Sequence, residues 1–405
     1  MSTNIITSIY PFCRLVVEDI VIEHNSKLGE KAYHIELRPD ERHNPICHEC
    51  KSEDESIHSW HKRKLRDLPI GSLSTMVTLH YRKIKCPKCD SYRVEKLGIK
   101  SPGGPAITDR MAQKVFSFCE KTSVLEAAKE FKLDWKTVKS IDKKFLEEKY
   151  GDIDYEHSGF LMVDEVTFGK FHKYLTIVAD YVTSRVIWVG QGRSFRTLDK
   201  FFSSMPEKSK QKVKAVAMDM WDPYIKAVNK HCSNADIVHD KFHIIAKYSR
   251  VIDEVRRSEQ KKKQDHKQLI KGSRWLLLKN RKNLSDEQKK HLDELLEINK
   301  NLNKTCILKD VLKEIFNRRS SSPIRERIKN FFQLAKEASL KPLNRFISTL
   351  KNYMDGIVTY SKYPIHNSKL EGINNKIKEI KRSAFGYHDI RYFELKIKQA
   401  FPGKT

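Results

Sequence analysis

The fold of this chain is decided by the stretch FLMVDEV at residues 160–166, an apolar run that carries two acids. Four further β-rich runs follow it, and short turns join the first three runs. A helix is predicted at residues 195–205, between the third and the fourth run. The runs predicted as strands are residues 160–166, 174–181, 185–189, 213–220 and 235–238. Three meandering strands followed by alternating helices and strands predict an α/β domain with a mixed sheet.

Two aspartates stand at the ends of predicted strands, Asp164 in the first and Asp219 in the fourth. If these two strands pack in parallel, both carboxylates lie at one edge of the sheet. Near the end of the chain, KLEGINNKIKEIKR at residues 369–382 predicts a helix with an apolar stripe. Glu371 lies at the margin of that stripe, and Asn375 is expected one turn further on the same side. Three carboxylates brought together there would select Mg²⁺ or Mn²⁺.

Other residues compete for these roles, because aspartates at strand ends are common caps. Asp180 also ends a predicted strand, and Asp222 and Asp240 are expected to cap helices. His239 and His243 flank Asp240, and we expect them to face solvent, with contact to phosphate or metal as the alternative.

The charge of the chain indicates a polyanionic partner. Its 405 residues carry a formal net charge of +26, and residues 241–351 alone hold 29 Lys and Arg against 13 Asp and Glu. Nucleic acid is the commonest partner for such an excess. No apolar run of eighteen residues and no signal peptide is present, so we expect a cytoplasmic, nucleoid-associated protein without a membrane partner.

Four of the eight cysteines form two Cys-x-x-Cys pairs, and the other four, including Cys13, are scattered. The paired residues are Cys47, Cys50, Cys86 and Cys89. Four thiolates predict a closed structural Zn²⁺ site, and the long gap between the pairs predicts a hairpin. Nearby histidines are alternative ligands, although each is expected at the surface: His43, His48, His58, His61 and His80.

Residues 101–105 read SPGGP and predict a linker, beyond which three short helices are expected. Thr108 caps the first, a capping box at Ser123 opens the second, and Asp134 caps the third. A basic last helix after a tight turn indicates a helix-turn-helix, and a plain three-helix bundle is the alternative. The basic residues expected to contact DNA are Lys136, Lys139, Lys143, Lys144, Lys376, Lys378, Lys381 and Arg382.

Four blocks resemble the ISL3 family of insertion-sequence transposases in their order along the chain. They are residues 163–165, residues 218–220 with Tyr224, residues 239–243, and residues 369–378 continued by 381–382 and 385–387. The resemblance implies a ribonuclease-H-like catalytic domain and a DDE triad, carried here by Asp164, Asp219 and Glu371. His388 follows Tyr387 where the family pattern leads us to expect arginine.

The expected fold class is a multidomain α+β protein. We expect a zinc-ribbon-like module at residues 1–105, a helix-turn-helix at 106–155, a ribonuclease-H-like domain at 156–250 and 361–405, and a basic helical insertion at 251–360. The expected function is metal-dependent strand cleavage and transfer at terminal inverted repeats by a homodimer or higher oligomer. A catalytically silent, transposase-derived DNA-binding regulator is the alternative. An RNA-directed nuclease fits less well, because A-form major grooves exclude a helix.

Overall fold

The computed structural model describes residues 14–25, 30–53, 56–100, 103–156, 158–168, 173–262, 270–316, 323–363, 365 and 368–403. Contacts divide the chain into two compact units, residues 1–149 and 150–405. Cys13 and the first two residues of the predicted linker, 101–102, lie outside the described residues. None of the helices in the described part of the chain combines the length and the apolar character that crossing a membrane requires.

The first unit contains a five-stranded sheet in the order β1-β2-β4-β3, with β5 paired to β4. The strands are β1 Leu15–Asn25, β2 Glu30–Pro39, β3 Ile57–Ile70, β4 Leu73–Cys86 and β5 Ser91–Val94. Strands β3 and β4 form an antiparallel hairpin whose turn contains Gly71 at φ 61°. This left-handed conformation suits glycine, which has no Cβ to clash. The predicted hairpin between the cysteine pairs is therefore confirmed.

Three helices complete the first unit, and all three predicted caps are present. They are α1 Asp109–Cys119, α2 Val124–Glu130 and α3 Trp135–Tyr150. The Thr108 hydroxyl accepts from the backbone N–H of Met111, and Ser123 and Glu126 form a reciprocal capping box. Asp134 Oδ1 accepts from the N–H of Lys136 at 2.8 Å. These bonds satisfy donors that a helix start otherwise leaves unpaired, which explains why the helix starts could be predicted.

The second unit is built on a mixed five-stranded sheet in the order β10-β9-β6-β7-β8. The strands are β6 Phe160–Thr167, β7 Tyr174–Asp180, β8 Val186–Gln191, β9 Ala215–Met218 and β10 Asp236–His239. Strands β6, β9 and β10 run parallel, whereas β7 and β8 are antiparallel to their neighbours. The parallel pairing of β6 with β9 meets the condition under which Asp164 and Asp219 share one edge of the sheet.

Helices cover both faces of this sheet, which accounts for its nearly continuous apolar strands. One face packs against α4 Phe195–Ser204 and α6 Asp222–His231, through buried residues such as Phe201 and Tyr224. The short helix α5, Glu207–Lys212, leads into β9. The other face belongs to the larger core, which includes Met162, Tyr248 and Ile377.

A run of helices separates β10 from the last two helices of the chain. It consists of α7 Lys241–Lys262, α8 Arg274–Leu278, α9 Asp286–Ile298, α10 Lys300–Ile315, α11 Ile324–Glu337, α12 Lys341–Asn352 and α13 Met354–Val358. The chain then returns to the sheet with α14 Ser368–Ser383 and α15 Ile390–Ala400. Leu370, Ile373 and Ile377 of α14 are buried, as the apolar stripe predicted.

Candidate functional site

Four cysteines form a compact cluster at one end of the first unit. The sulfur atoms of Cys47, Cys50, Cys86 and Cys89 all lie within 4.8 Å of one another. Cys50 Sγ is 3.4 Å from Cys86 Sγ, and Cys47 Sγ is 3.9 Å from Cys89 Sγ. No histidine of the described residues belongs to this cluster. The donor set fits a structural Zn²⁺, since four thiolates complete a tetrahedral site and leave no position for a reacting water.

A second set of polar groups gathers at the edge of the second sheet where the parallel strands end. Val163 of β6 pairs with Met218 of β9, so the next residues, Asp164 and Asp219, stand side by side. Helix α14 approaches the same edge, because Asn374 Nδ2 donates to Asp164 Oδ2 at 2.8 Å. Parallel strands therefore bring together two of the three predicted acids.

Helix α7 supplies the partner of Asp219. His243 Nδ1 lies 2.7 Å from Asp219 Oδ1, and Asp240 caps the start of the helix by accepting from the N–H of Phe242. Burial lowers the pKa of His243, but the contact with the Asp219 carboxylate outweighs it and leaves that pKa raised. The prediction that His243 faces solvent is wrong, because the cap on Asp240 turns its ring toward the carboxylate.

A third acid, Glu165, lies on the opposite side of β6 from Asp164. Its Oε1 is 3.7 Å from Arg193 Nη1, while its Oε2 is buried without a hydrogen-bond partner. The guanidinium of Arg193 also stacks over Tyr174, 4.1 Å from the ring centroid, and lies 5.1 Å from the ring of Trp221. A buried, unpaired carboxylate oxygen is costly, and it marks a place where a cation or a donor would be stabilising.

The acids of this edge disfavour one another's ionised forms. Burial raises the pKa of Asp164 to about 7, and the neighbouring carboxylates of Glu165 and Asp219 add to the rise. Burial and the charge of Asp219 also raise the pKa of Glu165. Crowded carboxylates with raised pKa values are the arrangement that a divalent cation stabilises, so Asp164 and Asp219 fit a Mg²⁺ or Mn²⁺ site.

Glu371 does not complete the cluster as the side chains stand. Within the described residues, the ligand atoms of Asp164, Asp219 and Glu371 do not all come within 4.8 Å of one another. Glu371 is exposed on the first turn of α14, one turn before Asn374. Because residues three apart lie on the same side of a helix, Glu371 belongs to the helix side that faces Asp164.

The rival residues take structural roles. Asp180 is buried and accepts from both the N–H and the hydroxyl of Thr183, which closes the turn after β7. Asp222 makes no capping bond, contrary to prediction, because the chain at Trp221 already occupies the N-cap position. Instead, Asp222 Oδ1 accepts from the Tyr353 hydroxyl at 2.7 Å.

His239 is also placed differently from the prediction. It is 2 % exposed, and its Nδ1 donates to the Met218 carbonyl at 3.1 Å. Burial lowers its pKa. Its ring packs so closely on Gly356 that a Cβ there would come within 2.5 Å of it. The solvent-facing interpretation is therefore wrong for His239, which joins β9, β10 and α13.

The predicted DNA-contacting residues lie mainly on exposed helix surfaces. On α3, Lys136 and Lys144 are exposed, while Lys139 and Lys143 are half-buried. On α14, the exposed residues are Lys376, Lys378 and Arg382, with Lys381 half-buried. Lys376 Nζ is 2.8 Å from Glu379 Oε1, so part of its charge is neutralised within the helix.

The sequence interpretation missed Asn374, Glu165 and Arg193. It placed Asn375 beside Glu371, yet Asn375 is exposed and Asn374 is buried. The signal for Asn374 was present in its spacing, because it lies four residues after Leu370 and three before Ile377, inside the apolar stripe. No comparable signal marks Arg193, whose contacts depend on how β7 and the start of α6 approach each other.

Comparisons with known proteins identify two matching family models and related transposases. Residues 161–397 match the family model of ISL3 transposases, and residues 43–89 match the zinc finger of the IS204/IS1001/IS1096/IS1165 transposases. The chain is 38% identical over 364 residues to the transposase for insertion sequence element IS1001 of Bordetella parapertussis, with 89% of each chain covered. It is 21% identical over 406 residues to the transposase for IS1557 of Mycobacterium tuberculosis, covering 92% of this chain and 89% of the relative.

Proposed function

The chain belongs to the ISL3 family of transposases, and from that premise we propose that it is a DDE transposase. It binds the terminal inverted repeats of an insertion sequence and catalyses DNA strand cleavage and strand transfer. The observation that carries the proposal is the position of Asp164 and Asp219 directly after the parallel pair of Val163 and Met218, with Asn374, on the helix of Glu371, donating a hydrogen bond to Asp164.

The second unit is proposed to be a ribonuclease-H-like catalytic domain. The support is its mixed sheet, in which three meandering strands are followed by two parallel strands that each follow a helix. Ligands of open α/β sheets bind outside the carboxyl ends of the strands. Asp219 directly follows β9, and Asp164 lies in β6 at the point where its parallel pairing with β9 ends. The helices α7 to α13 are proposed as an insertion that separates this sheet from the helix of Glu371.

Asp164, Asp219 and Glu371 are proposed to hold Mg²⁺ or Mn²⁺. When bound, such ions lower the pKa of an attacking oxygen and stabilise a leaving 3′-oxygen in phosphodiester displacement. Glu371 is proposed to swing inward from its exposed position when the site fills, since its helix is already fixed against β6 by Asn374.

The surrounding residues keep these acids in place. Asn374 orients the carboxylate of Asp164 through the bond to Oδ2, while the N–H of Glu165 donates to Oδ1 at 2.8 Å. His243 orients Asp219 through its contact with Oδ1. Partners of this kind fix the rotamers of metal-ligating side chains, and their loss commonly costs 10- to 100-fold, roughly, in metal affinity or activity.

DNA recognition is proposed to rest on α2 and α3, acting as a helix-turn-helix whose second helix enters the major groove. The support is the tight connection between Glu130 and Trp135 and the exposed lysines Lys136 and Lys144. The lysines of α14 are proposed to hold the phosphate backbone near the cleavage point.

Each transposition event must process two element ends, so we propose a homodimer or higher oligomer on DNA, acting in the cytoplasm at the nucleoid. The second candidate is a DNA-binding regulator that has lost catalysis. The exposed position of Glu371 is what favours this alternative.

The test uses purified full-length protein and linear DNA that carries the flanking element's ends, with Mg²⁺, Mn²⁺ or EDTA. Products are read on a denaturing gel. We expect metal-dependent cuts at the end junctions that Asp219→Ala abolishes while its DNA binding is retained. Tight binding of the ends without cutting under either metal would support the regulator instead.

A further inference from the structure

A groove with a cavity volume of 680 Å³ lies along helix α7, with α8 as its second wall. The lining of the groove includes Phe242, Ile245, Ala246, Arg250, Arg257 and Leu278. Along α7 the lining extends from residue 242 to 257, which corresponds to about 22 Å of helix. That length spans several nucleotides, because stacked nucleotides advance about 3.4 Å each along a strand.

The groove begins at the proposed catalytic edge. Phe242 is the residue before His243, which contacts Asp219. Phe242 is 59 % exposed. Its backbone N–H donates to Asp240 Oδ1, and its ring meets the ring of His243 edge to face, with the centroids 5.8 Å apart. An exposed aromatic ring beside a proposed reaction centre is available to stack on an unpaired base.

The floor and the rim of the groove present different chemistry to an occupant. The floor is apolar, formed by residues such as Ile245, Ala246 and Leu278, whereas Arg250 and Arg257 are exposed at its rim. A duplex offers phosphates and base edges but cannot cover an apolar floor. A single strand offers both phosphates and base faces, and aromatic rings with basic rims are how proteins bind such strands.

The acids of the groove are already neutralised. Asp253 lies 2.9 Å from Arg256, 2.8 Å from Arg257 and 3.7 Å from Arg274, so one carboxylate serves three guanidinium groups. Glu254 is paired with Arg345. Arg250 makes no ion pair with any residue that the structure describes, and its charge remains available to a phosphate.

The second wall is firmly placed although α8 is short. Buried Lys309 of α10 donates from Nζ to the carbonyls of Leu277 at 3.0 Å and Leu278 at 2.8 Å, which caps the end of α8. Also on α8, Trp275 is 67 % exposed, and the guanidinium carbon Cζ of Arg274 lies 5.5 Å from the centroid of the Trp275 ring. A second exposed aromatic residue therefore lies on α8, next in sequence to Arg274, which lines the groove.

We propose that this groove binds a single strand of DNA adjacent to the cleaved phosphodiester, with a base on Phe242 and a phosphate on Arg250. The inference rests on the proposed function, because it assigns the groove to one strand of the same DNA substrate. It adds a binding subsite for unpaired nucleotides that the catalytic acids alone do not provide.

The test compares two probes without metal, so that binding is measured apart from cleavage. One is a blunt duplex of the element end, and the other carries the same duplex with a short single-stranded extension at the cleavage position. Fluorescence anisotropy gives the affinity of full-length protein for each. We expect the wild type to bind the extended probe roughly tenfold more tightly, the range for one stacked base.

The diagnostic variants are Phe242→Ala and Arg250→Glu, and the matched controls are Ile307→Ala and Arg325→Glu. Ile307 is a 58 % exposed hydrophobic residue of α10, and Arg325 is an exposed arginine of α11. We expect the diagnostic variants to lose the preference for the extension and to keep the affinity for blunt DNA. The controls should keep both. Arg250→Glu lies at an exposed position, so it remains informative if Phe242→Ala does not fold.

Salt titration adds a second readout. Arg250→Glu removes the proposed phosphate contact with the single strand. The slope of log K, the association constant, against log[salt] should therefore fall by about 0.7 for the extended probe only. Equal affinities of the wild type for the two probes, or equal losses on both probes in the variants, would overturn the subsite. Preference for the extension without any metal-dependent cutting would instead overturn the proposed enzyme and leave the groove assignment standing.

Discussion

The side-chain amide of Asn374 donates a 2.8 Å hydrogen bond to Asp164 Oδ2, joining α14 to β6 across 210 positions of sequence. This bond connects the first proposed catalytic acid to the helix that carries the third. Asn374 is 8 % exposed, and its Oδ1 is buried without a hydrogen-bond partner. Removal of the bond would leave the Asp164 carboxylate without the partner on α14 that orients it.

Asn374→Ala is therefore expected to reduce cleavage by roughly 10- to 100-fold and to raise the Mg²⁺ concentration needed for half-maximal rate. Asn375→Ala is the matched control, because Asn375 is exposed on the same helix. The measurement is the cleavage rate across a Mg²⁺ titration. Equal rates and equal metal midpoints in the two variants would remove Asn374 from the site.

The variants Asp164→Asn, Asp219→Asn and Glu371→Gln should each lower cleavage by on the order of 10³-fold, because a neutral amide cannot hold the divalent ion that stabilises charge in the reaction. DNA affinity should change little. Asp222→Asn is the control, since Asp222 accepts a hydrogen bond from Tyr353 outside the cluster. Undiminished cleavage by Glu371→Gln would show that the exposed acid never enters the site.

From the cysteine cluster we expect one zinc ion per chain, and atomic emission can measure this content. Cys86→Ser should lose the metal and lower the temperature of thermal unfolding, since structural zinc contributes roughly 10 kcal/mol or more of binding free energy to folding. Cys232→Ser should retain one zinc, because Cys232 lies buried among the helices of the second unit. Zinc retained in full by the Cys86 variant would argue against the four-thiolate site.

Asp67 forms an ion pair with Arg110 inside the first unit, and we expect its contribution to stability to be lost in acid. Burial raises its pKa, but the hydrogen bonds from Arg110 and Thr108 outweigh burial and hold that pKa below its ordinary value of 3.8. A depressed pKa stabilises the folded state above the unfolded pKa, and this stabilisation is lost as pH falls through the folded value.

Asp67→Asn should lower the free energy of unfolding by about 3 kcal/mol at pH 7, because Arg110 loses its buried partner. The difference from wild type should begin to shrink below pH 3.8, where the carboxyl group of the unfolded chain takes up a proton, and should disappear only as the pH falls through the lower pKa of the folded state. Denaturant titrations at pH 7 and at a series of pH values below 3.8 measure this loss. Glu130→Gln, at an exposed position of α2, should show neither effect. A destabilisation independent of pH would contradict the ion-pair explanation.

Lys136 tests the proposed recognition helix. Lys136→Ala should lower the slope of log K against log[salt] for terminal-repeat DNA by about 0.9, the value for one phosphate contact on duplex DNA. Lys208→Ala, an exposed lysine of α5, is the control. If both variants keep the wild-type slope, α3 does not approach the phosphate backbone.

Local patterns predicted much of this molecule because their causes are local. The caps at Thr108, Ser123 and Asp134 depend on hydrogen bonds to residues within three positions. The strand β6 and the apolar stripe of α14 could be predicted from periodicity alone. Four cysteines with paired spacing predicted the zinc cluster and the hairpin between the pairs.

Side-chain partners across elements could not be predicted in the same way. His243 and His239 were expected at the surface, yet one contacts Asp219 and the other lies under Gly356. Asp222 was expected to cap a helix, and it bonds instead to Tyr353, 131 residues away. Each of these contacts depends on how separate helices pack on the sheet.

The sequence by itself determined many of the elements, the family resemblance and the candidate acids, because short-range periodicity, capping and motif order contain that information. Only the tertiary structure decided which groups meet. The register of β6 with β9 sets Asp164 beside Asp219, and the rotation of α14 about its axis selects Asn374 rather than Asn375 as the contact. One step along a helix turns a side chain by about 100°, so packing of the apolar stripe, rather than local propensity, fixes which neighbour faces the acid.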